Sequence, residues 1–297
     1  MKYTTLGQTS LQVSRIAFGC MSLPQAKSSI SILQKAVDSG INYFDTADLY
    51  DKGLNEELVG GALKTVRKQV VIATKVGNVW RQDGSGWDWN PKKEHILASV
   101  ESSLKRLQTD YIDLYQLHGG TIEDPIDEAI EAFEQLVQQG KIRYYGISSI
   151  RPNVIRAWVS RSKIISVMTQ YSLLDRRPEE ATLPLLQEKH VGVMVRGSVA
   201  QGLLINKPAK PYLGYSEEQV KKAADLVHAF SLHNRTAAHT ALQFVLQHPA
   251  VTAAVVGIRT MDQLEEAIQA MQVRAFTEEE RQQLLKVLTP QNYQEHR

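Results

Sequence analysis

Eight short runs of β-branched and aromatic residues recur along the chain, finishing near Gly19, Asp45, Lys75, His118, Ser148, Gln170, Arg196 and Gly257. Amphipathic stretches of helical period separate them. This alternation constrains the fold more than any other feature, because strand–helix–strand units make parallel sheets. Eight such units in about 250 residues fit a closed (β/α)8 TIM barrel better than two doubly wound domains. Val70-Val71-Ile72-Ala73-Thr74-Lys75 is nearly continuous in its apolar character, as a strand covered on both faces must be. The next helix is predicted to open at Asn90-Pro91, with Ile96, Val100, Leu104 and Leu107 as its apolar stripe. Asp124-Pro125, Arg151-Pro152 and Arg177-Pro178 read as helix openings of the same kind. Thr277-x-x-Glu280 reads as the capping box of a C-terminal helix.

Residues 1–14 precede the first unit, and Leu6-Gly7-Gln8 with Leu11-Gln12-Val13 suits an N-terminal β-hairpin closing the barrel bottom. No linker rich in Pro, Gly or Ser interrupts the chain, so residues 1–297 are expected to form a single domain. Two connections are long: Val76–Asn90 after strand 3 and Gly197–Tyr215 after strand 7. Loops of that length are usually lids or binding loops.

Composition narrows the function. Lys and Arg number 34 against 32 Asp and Glu, a net charge of +2, which gives no reason to expect nucleic acid or an anionic membrane as partner. Apolar stretches such as Ala253–Val256 are far shorter than the roughly 20 residues a spanning helix needs. The opening Met1–Thr5 shows no apolar signal segment, and one cysteine, Cys20, excludes an intrachain disulfide or cysteine-rich zinc site. A soluble, cytoplasmic protein is expected, with no metal.

Active sites of such barrels sit where strands end and βα-loops begin. Here Asp45, Lys75, His118, Ser148, Gln170 and Arg196 end the second to seventh strands. Six apolar strands thus deliver a polar or ionisable group to one rim. A barrel built only for stability needs no such convergence.

Asp45-Thr46-Ala47-Asp48-Leu49-Tyr50, Lys75 and Leu117-His118 resemble the aldo-keto reductase family. The likeness also takes in Leu6-Gly7, Gly19-Cys20-Met21-Ser22, Gly146-Ile147-Ser148-Ser149 and Gly202-Leu203-Leu204. It spans nearly the whole chain and is closest to the bacterial branch related to potassium-channel β-subunit-like proteins. The resemblance implies a (β/α)8 barrel and a catalytic tetrad of Asp45, Tyr50, Lys75 and His118, reducing a carbonyl with hydride from NADPH. Tyr50 then donates the proton. A free phenol titrates near ~10, and lowering it by ~3 units takes about 4 kcal/mol. One ammonium at ~4 Å supplies about that much at an effective dielectric near 20, while burial of the phenolate opposes it. Lys75 alone is therefore marginal, and His118 as a second hydrogen-bonding partner, with Asp45 orienting Lys75, completes the site.

No Gly-x-Gly-x-x-Gly follows a strand here, so a dinucleotide would lie extended across the rim, as the family binds it, and not on a Rossmann turn. By resemblance Ser148 and Gln170 hold the nicotinamide carboxamide; Ser149 stands where the family usually has Asn. Cys20 and Met21, past strand 1, join the same face. Arg196 occupies the position of the aromatic ring that many relatives stack on the nicotinamide, and its planar guanidinium can stack or can pair with a rim carboxylate. Gly197, Ser198, Val199, Ala200, Gly202 and Lys207 resemble the stretch covering the pyrophosphate. Gly257, Arg259 and Gln263 resemble the adenosine end, where a helix N-terminus and an arginine favour a 2′-phosphate. Thr260-x-x-Gln263 also reads as a capping box.

Trp80, Trp87 and Trp89, three of four tryptophans, share the loop after Lys75. They suit the apolar wall of a substrate pocket, with Trp80 the first choice and Met21 a second apolar contact. His118 is followed by Gly119-Gly120-Thr121, where many relatives carry an acidic residue. The expected activity is reduction of small reactive aldehydes or ketones, the resemblance favouring a monomer. A rival reading is a nucleotide-sensing accessory subunit with little turnover, distinguishable by assay with a nitrobenzaldehyde. A metal hydrolase on the same fold lacks His-x-His or a carboxylate cluster at the strand ends.

Overall fold

The computed structural model describes residues 1–231 and 235–297. Among them, eight parallel strands close into a barrel in chain order: Ile16–Gly19, Tyr43–Asp45, Val71–Val76, Ile112–Leu117, Ile142–Ser148, Ser166–Gln170, Gly192–Arg196 and Val251–Gly257. The eighth strand pairs with the first through Val255 against Ala17 and Val256 against Phe18. Side chains alternate across each strand, which splits the apolar residues into two layers. Ala17, Tyr43, Ala73, Leu114, Met168 and Met194 pack with one another inside the barrel. Their neighbours Phe18, Phe44, Ile72, Tyr115, Val167 and Val193 pack outward with the helices.

Tyr3–Thr5 and Gln12–Ser14 pair antiparallel as the expected hairpin. Leu6-Gly7-Gln8 forms its turn and not a strand. Leu6, Leu11 and Val13 join the inner layer and plug the barrel bottom. Gly7 has φ +56, and a Cβ there would lie 2.4 Å from the Ile165 carbonyl oxygen, so only glycine fits the plug.

The helix after the third strand runs Lys93–Leu107 and buries Ile96, Val100 and Leu107, with Leu104 half-buried beside them. It starts later than Asn90-Pro91 predicts. The Asn90 N–H donates to the Gly77 carbonyl at 2.7 Å, which makes Asn90 the base of the preceding loop. Pro125 is itself the cap of Ile126–Gln138. Pro152 opens Pro152–Arg161 as expected. Arg177-Pro178 begins only a 3-10 turn, Arg177–Glu179, and the helix proper is Thr182–Glu188. Among the described residues the seventh crossover holds two helices, Glu217–Ala229 and Ala237–Leu246. Thr277 and Glu280 form the predicted reciprocal cap of Glu278–Lys286. Among the described residues no helix is long and apolar enough to cross a membrane.

Candidate active site

The C-terminal rim opens into a cavity of about 960 Å³, and residues from the ends of all eight strands or their loops line it. Asp45 ends the second strand, Lys75 is the penultimate residue of the third, and His118 directly follows the fourth. Tyr50 stands in the turn after Asp45. That turn reverses sharply: Asp51, Lys52 and Gly53 have φ of 50, 55 and 90°, and a Cβ on Gly53 would meet Arg106 at 2.8 Å. The turn is pinned by the Trp80 Nε1–H donating to the Leu49 carbonyl at 3.0 Å. Below it, Thr46 Oγ1 donates to Asn55 Oδ1, and Asn55 Nδ2 donates to the Cys20 carbonyl.

Lys75 is fully buried. Its Nζ donates to Asp45 Oδ1 at 2.5 Å, to the Thr46 carbonyl at 2.7 Å and to the Tyr50 hydroxyl oxygen at 3.2 Å. Burial alone would pull the ammonium down, but Asp45 and then Tyr50 outweigh it and hold Lys75 above the ordinary lysine value. Gln116 Nε2 reaches the other oxygen of Asp45 at 3.4 Å. Sequence reasoning missed Gln116, Thr46 and Asn55, because their roles rest on contacts with other segments: Gln116 and Thr46 across strands, and Asn55 from its helix to the Cys20 carbonyl. With three acceptors for three protons, the ammonium is saturated. The Tyr50 oxygen accepts from it, so its own proton is free to point elsewhere.

The His118 and Tyr50 rings stand edge to face at 5.7 Å. Burial first, then the Lys75 and Arg196 charges, bring the imidazole down to about 3. His118 is therefore neutral near pH 7. Its Nδ1 is buried with no partner among the described residues. An orphaned acceptor is tolerated better than an orphaned N–H, which assigns the proton to Nε2 and makes His118 a donor. Behind the tetrad, Asp48 is pushed up to about 7 by burial and then by Glu56. Glu56 itself accepts from Thr74 Oγ1 and pairs with Arg106 at 2.6 Å.

The other predicted residues divide. Met21, Ser148, Ser149, Gln170, Arg196, Gly197, Ser198, Val199 and Gly257 line the cavity. Cys20 does not; its side chain is wholly buried and packs in the outer core. Ala200, Gly202 and Lys207 also lie outside the lining: the Lys207 stem covers Gly202, whose absent Cβ would sit 3.3 Å from Lys207 Cδ. Gln201 takes their place on the wall. Arg259 and Gln263 stand beyond the cavity, and the capping box there is displaced by one residue. Gln263 N–H donates to Thr260 Oγ1, but Gln263 Oε1 accepts from the Arg259 N–H.

Gln170 is held at both ends. Its Nε2 donates to Asp175 Oδ2 at 2.8 Å and to the Tyr212 hydroxyl at 3.2 Å, and its Oε1 accepts from Arg196 Nη1 at 3.0 Å. Arg196 thus pairs with an amide oxygen, not with the rim carboxylate its charge suggested. Trp80 is not on the wall; it packs edge to face on Trp87. Trp89 lines the cavity instead, its ring over Gly77 and Gly119 and its Nε1–H donating to Asp124 at 3.0 Å. The loop is a hairpin, Asn78–Trp80 against Trp87–Trp89, and its register selects which tryptophan faces in.

The wall suits a nicotinamide dinucleotide. Ser198 Oγ is buried there with no partner among the described residues, which leaves a hydroxyl for a phosphate oxygen. On the same wall Gly257 leaves the backbone open, with Ser22 Oγ nearest at 3.7 Å from where a Cβ would lie, whereas Gly197, at φ +75, packs against Gln170.

Residues 15–288 match the Aldo/keto reductase family. An oxidoreductase of Bacillus subtilis, YqkF, is 48% identical over 100% of both chains. The holo form of the aldo-keto reductase AKR11C1 from Bacillus halodurans is similar at a TM-score of 0.93 and 50% identity, covering 100% of this chain and 99% of that one. The NADH-specific methylglyoxal reductase of Escherichia coli is 28% identical over 92% of this chain and 94% of its own. The closed barrel agrees with these likenesses, and the chain belongs to the aldo/keto reductase family.

Proposed function

We propose that the protein is a cytoplasmic, monomeric, NADPH-dependent reductase of small aldehydes or ketones. The carrying observation is the Lys75 ammonium with all three protons spent, one of them on Tyr50. A bound nicotinamide would supply the hydride. Tyr50 and His118 receive the carbonyl oxygen between two donors, an arrangement that stabilises charge as it develops there. Tyr50 gives its proton to that oxygen, and Lys75 steadies the phenolate left behind. Asp45 keeps Lys75 charged and fixed. Ser148 and the free lone pair of Gln170 Oε1 would hold the carboxamide, with Met21 in apolar contact. Ser198 would bond a phosphate oxygen.

Coenzyme choice rests on the helix Met261–Gln269 and on Arg259 before it. A helix N-terminus attracts an anion for about 0.3–1 kcal/mol, and a charge-assisted arginine contact adds roughly 1.5–3 kcal/mol. The Arg259 and Gln263 N–H groups are already satisfied, so the guanidinium carries most of the preference for NADPH. The NADH specificity of the Escherichia coli relative belongs to that protein.

The test is oxidation of NADPH by 4-nitrobenzaldehyde, followed by absorbance, in wild type and Tyr50→Phe. The variant is expected to keep its cofactor affinity and to lose at least ~10² in kcat, the low end of general-acid contributions. Lys75→Met is expected to be as damaging, and the losses in the double variant should not add, since both act through one phenol. Near wild-type turnover in Tyr50→Phe would remove Tyr50 as the donor.

A further inference from the structure

Resting on the reductase reading of the same cavity, we propose that the substrate carries a carboxylate, which Arg151 binds while the carbonyl lies between Tyr50 and His118. The charges of the wall lead to this. Asp45 is neutralised by Lys75 at 2.5 Å. The other charged side chains on the lining are Arg151 and Arg196, and among the described residues neither is ion-paired with a carboxylate. Arg196 is exposed and gives one N–H, from Nη1, to Gln170 Oε1, on the side of the wall assigned above to the nicotinamide carboxamide. Arg151 makes a single side-chain hydrogen bond, from Nη1 to the Gly120 carbonyl, so most of its five N–H groups have no protein acceptor. The nearby Asp124 is fully engaged, accepting from Trp89 Nε1–H and from the N–H and Oγ1–H of Thr121.

Between His118 and the Gly120 carbonyl the chain itself carries no side chain, and the Trp89 ring flanks Gly119. Gly119 and Gly120 lie between His118 and the carbonyl that anchors the guanidinium, at φ +133 and +115, a region that L side chains rarely adopt. The glycine pair places no acidic side chain in this stretch, and the Asp124 carboxylate beside Gly120 makes no ion pair with Arg151.

The donors favour a planar anion. Arg151 precedes the helix Pro152–Arg161, but that helix offers little to a phosphate. Pro152 has no N–H, the Asn153 N–H donates to the His296 carbonyl, and the Val154 N–H donates to Asn153 Oδ1. What remains is the guanidinium fork, which matches a carboxylate in two parallel bonds.

The test compares 4-oxobutanoate with pentanal, a neutral aldehyde of similar length, at saturating NADPH. Wild type is expected to favour 4-oxobutanoate at least tenfold in kcat/KM, the low end for a charge-assisted contact, and added salt should narrow the preference. Arg151→Gln should reduce that ratio at least tenfold, and Arg151→Lys should retain part of it. Equal kcat/KM for the two aldehydes in wild type, or equal losses for both in Arg151→Gln, would overturn the proposal. Titration with glutarate, read by tryptophan fluorescence, needs no turnover. Saturable binding that Arg151→Gln abolishes supports the carboxylate site, and no binding refutes it. Turnover of neither aldehyde would count against the reductase reading, and the glutarate titration would then decide this inference separately.

Discussion

Lys75 and His118 reach their working states by opposite routes. Asp45 and Tyr50 keep a buried ammonium charged, whereas burial with no counter-charge keeps His118 neutral, its imidazole brought down to about 3. Lowering the pH from 7 to 5 should therefore leave its charge unchanged. The expected kcat profile for aldehyde reduction shows no inflection near ~6.5, the ordinary histidine value. An inflection there that vanishes in His118→Gln would contradict a neutral donor. The proposed preference for NADPH is tested at the same residue scale. Arg259→Ala is expected to weaken NADPH binding about tenfold, within a charge-assisted contact, and to spare NADH; equal losses in calorimetric Kd would place Arg259 away from the 2′-phosphate. The clustering of Asp45, Tyr50, Lys75 and His118 was legible because each stands at a strand end or in the adjoining turn. Gln116 was not legible, since its bond to Asp45 spans two strands and 71 positions.

At the scale of elements, the loop after Lys75 shows where periodicity stops being informative. Three tryptophans within ten residues suggested a wall but not which ring forms it. The hairpin register pairs Asn78 with Trp89 and Trp80 with Trp87, which turns Trp89 inward and leaves Trp80 fastening the Tyr50 turn. Gly77, at φ +122, leaves room for that ring: a Cβ would lie 2.6 Å from Trp89 Cζ3. Gly77→Ala should displace Trp89, cost about 1–3 kcal/mol of stability, and alter kcat/KM unequally among aldehydes of different bulk. Unchanged ratios and melting temperature would show that Trp89 does not depend on Gly77. Helix Ala237–Leu246 escaped prediction for another reason. All ten of its residues are buried, so no polar face marks its period.

Across the whole molecule, the buried polar layer behind the tetrad gives stability a pH dependence. Asp48, pushed up to about 7 by burial and Glu56, keeps its proton in the folded state after the unfolded chain has lost it. The folded state then binds more protons, so this contribution is full below pH ~4 and falls away as pH rises towards 7. Asp48→Asn is expected to raise the melting temperature at pH 8 relative to wild type and to flatten the decline between pH 5 and 7. A variant melting lower than wild type at pH 8 would show that the carboxylate is needed ionised. The sequence by itself determined the barrel, the order of its strands and the residues brought to its rim, because alternation and strand ends are local properties of the chain. Only the tertiary structure decided which tryptophan faces the cavity, which lone pair of Gln170 stays free and which carbonyl anchors Arg151. Those outcomes depend on register and desolvation between segments far apart in sequence, and no local pattern records them.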